Sequence, residues 1–302
     1  MWQQLLNQLI RGDEKALARS ISFVENEQKD YIKFLQSLPG NPKSKIVGVT
    51  GPPGAGKSTL VDALIGELLN QKHKIAILCI DPSSPFNLGA LLGDRIRMSN
   101  WYTHPQVFIR SLATRGAMGG LHPKIIEITD VLKAAAFDYI IIETVGVGQS
   151  EIEIAGLADV TVVVLVPESG DEVQTMKAGL MEIVDIFVVN KSDRPDADLF
   201  VKNLRMMLAP SFYSNKNEDP LIKTIASEKM GIRELVEAIN KQLQQKEVND
   251  RNVWLLTEKA YHLVQKKRMS DITKEQLKNE IESAQTSSAF NLYRFLEKYL
   301  SN

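Results

Sequence analysis

From Lys45 onward the chain alternates short β-branched, apolar runs with turns and helical stretches, and this alternation limits the available folds more than any other feature. The runs are KIVGVT at 45–50, KIAILCI at 74–80, VFIRSL at 107–112, DYIIIE at 138–143, DVTVVVLV at 159–166, DIFVVN at 185–190 and LIKTIA at 221–226. Consecutive apolar residues leave no face of such a strand for water, so both faces must be covered, as in a parallel sheet flanked by helices. The expected class is α/β: a doubly wound, mainly parallel sheet with ligand sites beyond the carboxyl ends of its strands.

The flanks read differently. In residues 1–42 the apolar positions Leu5, Leu6, Leu9 and Ile10, then Ala16, Ile21 and Val24, then Tyr31, Ile32, Phe34 and Leu35 recur at helical steps. Pro39, Gly40 and Pro42 end that zone. After about residue 245 the helical period returns through Val253, Trp254, Leu255, Ala260, Tyr261 and Val264. The expected organisation is a helical extension over 1–42, a sheet domain over 43–247 and a helical arm over 248–302.

Composition narrows the classes. With 36 Lys and Arg against 37 Asp and Glu the net charge is −1, which gives no field to draw in polyanions and argues against nucleic acid as the ligand. One cysteine, Cys79, excludes an internal disulfide framework and a thiolate-rich metal site, and fits a reducing, cytoplasmic setting. Arg11, Asp13 and Glu14 interrupt the N-terminal stretch well before the ~20 apolar residues that a membrane span needs, so neither a signal peptide nor membrane association is expected.

KIVGVT runs directly into Gly51-Pro52-Pro53-Gly54-Ala55-Gly56-Lys57-Ser58-Thr59 and then a helical stretch, the strand-loop-helix context of a phosphate-binding loop. Glycines let backbone amides turn inward around a polyphosphate, and the helix N-terminus adds its positive end. Lys57 is then expected to reach the β- and γ-phosphates and Ser58 to take a Mg²⁺ position. Asn190-Lys191-Ser192-Asp193 follows the strand DIFVVN. The Asp193 carboxylate can accept from N1–H and the 2-amino group of guanine, a donor pair that adenine lacks, while the Lys191 stem packs on the base. That selects GTP, with the Ala226 amide as candidate partner of the guanine oxygen.

Two acids end strands on the same side. Asp81 follows KIAILCI, and Glu143 leads into Thr144-Val145-Gly146. Both are candidates to fix Mg²⁺ and its waters, and the Gly146 amide is a candidate sensor of the γ-phosphate. The long segment from Asp81 to Arg95 is expected to switch, with Asp94 approaching Mg²⁺ and Arg95 as a partner contact. A second segment, Glu168 to Lys177, reads equally as a mobile element or as a helix start capped by Asp171. His104 and His122 each precede a proline, lack a helical His or Cys partner, and read as loop histidines rather than metal ligands.

The strings GVTGPPGAGKSTL, AILCIDPSSPF, LLGDRIRM, RSLATRGAMGGL, IIIETVGVGQSE and VVVLVPESGDEVQTMKAG together resemble the MeaB/ArgK type of SIMIBI-class P-loop GTPases, over about residues 1–268. The resemblance implies a slow GTPase, using GTP, GDP and Mg²⁺, that gates cobalamin loading and protects or reactivates an adenosylcobalamin-dependent acyl-CoA mutase of the methylmalonyl-CoA mutase type. A cobalamin adenosyltransferase is a further implied partner. It assigns Lys57, Asp81, Asp94 and Glu143 to catalysis, with Ser58 and the three acids at the metal. Gln149 and Glu151 fall in its second switch, and Glu168, Asp171, Gln174 and Lys177 in a third switch that answers the mutase. The helical ends resemble its N-terminal extension and dimerisation arm, implying a homodimer. Asn87-Leu88 stands where the family has Thr-Gly, and Thr224-Ile225-Ala226 where it has Thr-Ser-Ala. Two alternatives remain at this point: a kinase passing the γ-phosphate to arginine or a protein, and a nickel- or zinc-delivery GTPase.

Overall fold

The structure, a computed structural model, describes residues 2–41, 43–81, 98–114, 121–144, 146, 150–169, 184–212, 221–245, 250–269, 272, 274–285 and 291–300. Strands without a polar face satisfy their backbones against one another, and seven do so here: β1 Lys45–Thr50, β2 Ile75–Asp81, β3 Val107–Ala113, β4 Tyr139–Glu143, β5 Val160–Leu165, β6 Ile186–Val189 and β7 Leu221–Lys223. Their order is β3-β2-β4-β1-β5-β6-β7, and every pairing is parallel. All carboxyl ends therefore lie along one edge. Every position of β2, β5 and β6 is buried, and each such aliphatic side chain contributes roughly 1.5–3 kcal/mol.

Helices cover both faces. On one, Leu60 and Leu64 of α4 (Lys57–Asn70) pack with Val47, Val49, Ile77, Val162 and Val164. On the other, Val163, Leu165, Phe187 and Val189 meet a helix at Ala197–Phe212 through Val201, Leu204 and Leu208. Alternate residues of β5 thus face opposite cores, as strand periodicity requires. A 3₁₀ turn at Ser99–Trp101 rests on α4, where the Trp101 indole donates to Asp62 at 2.6 Å.

One strand is shorter than its apolar run suggests. LIKTIA leaves the sheet at Lys223, and Ala226 opens a 3₁₀ turn, Ala226–Glu228. The cause is local: Ile225 pairs its backbone with Met230, while the Thr224 hydroxyl and the Ala226 amide both turn to Asn190.

The N-terminal zone forms α1 (Trp2–Ile10), α2 (Glu14–Glu25) and α3 (Tyr31–Gln36). Asp13 caps α2 by accepting from the Ala16 amide at 2.8 Å, and Phe23 meets Phe34 edge-on. Polar bonds fasten these helices to the sheet domain. Arg110 of β3 donates to Ser22 and Glu25 at 3.3 and 3.1 Å. Lys124, ahead of a helix at Ile125–Ala134, reaches Glu27 at 2.7 Å. Burial works against the Lys124 charge, but the bond to Glu27 and the charges of Glu127 and Glu27 hold its pKa above the ordinary range. His104 and His122 both lie in loops, and His122 is buried, accepting from the Lys124 amide at 3.0 Å.

The chain divides into two compact units, Met1–Asn252 and Val253–Asn302. The second contains most of a helix at Asp250–Arg268 and two further helices, Lys274–Gln285 and Leu292–Leu300. Within it Tyr299 donates to Glu280 at 2.6 Å, and Trp254, Tyr261 and Tyr293 are exposed.

Candidate nucleotide site

The loop Gly51–Gly56 leaves the carboxyl end of β1, and Lys57 begins α4. Gly56 adopts φ +88°, and a Cβ there would stand 2.4 Å from the Asn190 side-chain nitrogen, so only glycine lets the loop lie this close to its neighbour. Pro53 and Gly54 form the exposed apex, Ala55 is buried and Thr59 half-buried. Lys57 is buried, and its ammonium donates to the Gly51 and Pro52 carbonyls at 2.9 and 3.1 Å. The cation is thus held over the loop at the positive end of a helix, where an anion gains from both.

Ser58, also buried, donates its hydroxyl to Glu143 at 2.6 Å. Glu143 ends β4 and Asp81 ends the adjacent β2; each is 4% exposed. The structure therefore brings Lys57, Ser58, Glu143 and Asp81 to neighbouring strand ends beside one loop. The Thr144 hydroxyl donates to Thr50 at 2.8 Å, tying the ends of β4 and β1 together. Gly146, at φ +82°, sits against the same loop: a Cβ there would lie 1.9 Å from the Gly51 oxygen and 2.8 Å from the Lys57 nitrogen. Gly146→Ala should accordingly displace either the loop or the segment after β4. A shift of about 1 Å at a reacting centre costs roughly 100-fold in rate, so single-turnover GTP hydrolysis should fall at least about tenfold; a rate within about twofold of the parent would contradict this placement.

The guanine motif is joined to the loop by two side chains, Asn190 and Lys191. Asn190, 2% exposed, donates to the Ala55 carbonyl at 2.9 Å and accepts from the Thr224 hydroxyl and the Ala226 amide, both at 3.1 Å. The Ala226 amide, expected at the guanine oxygen, is here bonded to Asn190. Lys191, at φ +56°, lays its ammonium on the Gly54 carbonyl at 2.7 Å. Asp193 is exposed beyond it, and the Ser192 amide donates to the Thr224 carbonyl at 3.1 Å.

Arg194, which sequence reasoning passed over, donates to Glu168. That bond holds the Glu168 carboxyl below the usual carboxylate range and links the guanine loop to the segment after β5. Its only sequence signal is an arginine directly after the guanine motif. Glu151 lies in the helix Ser150–Leu157. Asp94, Arg95, Gln149, Asp171, Gln174 and Lys177 lie outside the described residues.

Comparison with known proteins agrees with this arrangement. The family model for the methylmalonyl-CoA mutase-associated GTPase MeaB matches residues 17–286. A Pyrococcus horikoshii protein, a GTPase by name, is 48% identical over 244 residues, covering 78% of this chain and 76% of its own. The mouse mitochondrial methylmalonic aciduria type A homolog is 36% identical over 218 residues, 67% of this chain and 52% of its own. The crystal structure of a LAO/AO transport system kinase superposes with a TM-score of 0.68 at 23% identity, covering 100% of this chain and 98% of the other, a likeness of fold. A parallel sheet, a phosphate loop after its first strand and a family match over most of the length lead to one conclusion: this chain belongs to the MeaB family of P-loop GTPases.

Proposed function

We propose that the protein binds and hydrolyses GTP as a chaperone that gates cobalamin loading onto, and protects or reactivates, an adenosylcobalamin-dependent acyl-CoA mutase of the methylmalonyl-CoA mutase type. The observation that carries the GTP reading is the Asn190 junction, which sets the guanine motif against the phosphate loop. The mutase is suggested by the description of the matching family. We place the GTPase domain at 43–247, the helical extension at 1–42 and a homodimerisation arm at 248–302, whose exposed Trp254 and Tyr261 are suited to a partner surface. No helix among the described residues is long and apolar enough to cross a membrane.

In this reading Lys57 exchanges two carbonyl contacts for phosphate oxygens, and the loop amides and the α4 terminus hold the remaining negative charge. Asp193 takes the guanine edge and Lys191 covers the base. The donors Ser58, Asp81 and Glu143 are all oxygen and buried, which suits a hard cation that keeps several waters of its own. Among the described residues no three His, Cys, Asp or Glu gather as a metal cluster, and Mg²⁺ bound with a nucleotide needs none. Ser58 would bind the ion directly, with Asp81 and Glu143 orienting its waters. Bound there, Mg²⁺ would neutralise charge on the β- and γ-phosphates. No described residue stands out as a general base, so positioning and charge neutralisation supply the acceleration.

The test is GTP turnover by the purified chain, alone and with an adenosylcobalamin-dependent acyl-CoA mutase. Slow hydrolysis that rises about tenfold or more with the mutase is expected, modest beside the ~10³–10⁵ gained by supplying an arginine in trans. Turnover indifferent to the mutase removes the chaperone role and leaves the GTPase; no turnover in either arm removes both. Asp193→Asn should cost the preference for GTP over ATP about tenfold or more, through one lost charged hydrogen bond of roughly 1.5–3 kcal/mol. Competition binding with the two nucleotides reads this directly, and an unchanged ratio would displace Asp193 from the base.

A further inference from the structure

On the flank of the sheet domain, α1, α2 and the edge strand β3 wall a cavity of about 520 Å³. We propose that this cavity binds a small organic anion, a carboxylate or sulfonate carried on an apolar body. The proposal does not depend on the GTP reading.

The lining separates into two parts. Trp2, Leu5 and Phe23 supply an apolar wall, and Arg19 and Arg110 supply charge; no carboxylate lines the cavity among the described residues. Arg19 donates to the Lys15 carbonyl at 3.3 Å and to the Gln8 amide oxygen at 3.1 Å, both neutral acceptors, so no counter-charge meets it among the described residues. Arg110 spends one terminal nitrogen on Ser22 and Glu25; among the described residues its other terminal nitrogen makes no hydrogen bond, whereas its Nε is buried away from solvent. Glu25 does not line the cavity. A guanidinium has five N–H donors and stays charged at any working pH, so both arginines keep capacity for an anion.

Size and shape point to an organic rather than an inorganic ligand. The volume falls within the ~300–1,000 Å³ of small-molecule sites, which are mostly apolar with a few convergent polar groups. A bare phosphate would leave the half-buried Trp2 and Leu5 uncovered. An aryl carboxylate would pair its oxygens with the planar fork of a guanidinium and lay its ring on the aromatic wall.

The experiment is calorimetric titration of the full chain with 4-phenylbutyrate, its neutral amide and inorganic phosphate. The carboxylate should bind at one site per chain at millimolar concentration or below, and the amide and phosphate each about tenfold more weakly or not at all. Arg19→Gln should weaken the carboxylate about tenfold and leave GTP affinity unchanged. That variant is informative because Arg19 takes no part in the Arg110–Glu25 bond that fastens α2 to the sheet. Trp2→Ala, on the apolar wall, should weaken it as well. The proposal is overturned by absence of heat at millimolar carboxylate, by equal binding of amide or phosphate, or by parental affinity in Arg19→Gln.

Discussion

Asn190→Ala should lower the stability of the nucleotide unit by about 3–5 kcal/mol and weaken GTP binding in the same variant. The side chain is buried and serves three groups that lose their partner on truncation: the Ala55 carbonyl, the Thr224 hydroxyl and the Ala226 amide. Each buried polar group left unsatisfied costs roughly 1–3 kcal/mol. Partial relaxation keeps the total below the sum of three separate losses. Urea unfolding, read as a shift of midpoint at constant slope, measures the first effect and nucleotide titration the second. A stability loss below about 1 kcal/mol would mean that water replaces these bonds and that Asn190 does not organise the site.

Lys57→Ala should separate binding from stability. In the structure the ammonium donates to the Gly51 and Pro52 carbonyls of its own loop, and truncation also removes the cost of holding a buried charge. These effects oppose one another, so stability should change by less than about 3 kcal/mol, the range of one hydrogen bond to a charged group. Nucleotide affinity should fall about a thousandfold, because two or more charged hydrogen bonds to phosphate, each worth ~1.5–3 kcal/mol, disappear. Displacement of a fluorescent GDP analogue gives the affinity, and thermal melting without nucleotide controls for folding. GTP affinity within about tenfold of the parent would remove Lys57 from the phosphates.

Much of the scaffold was legible in the residues because its causes are local. Seven apolar runs marked seven strands, and apolar positions at helical steps in the N-terminal zone marked the stretch where the structure has three helices. The order of the strands was not legible, since each run is apolar on both faces and none carries a mark of its neighbour. The end of β7 misled for a related reason. Ile225 and Ala226 extend the apolar run, but a side chain 36 positions earlier takes the Ala226 amide out of the ladder. The phosphate loop, the guanine motif and the acids at two strand ends were each readable as strings. Their junction through Asn190, and the bond from Ser58 to Glu143 across 85 positions, became visible only when the sheet brought them together. His122 read as a loop histidine, and its burial beneath the helical extension had no sequence signal.

The indole of Trp101 gives the molecule an optical probe of its own. It is hydrogen-bonded to Asp62 on the helix that Lys57 opens, and it follows in sequence the stretch expected to respond to the γ-phosphate. Because the chain has three tryptophans, replacing Trp2 and Trp254 with phenylalanine would leave this chromophore alone. Its emission colour and quenching would then report, in real time and without a label, whether strain from nucleotide turnover reaches the back of that helix.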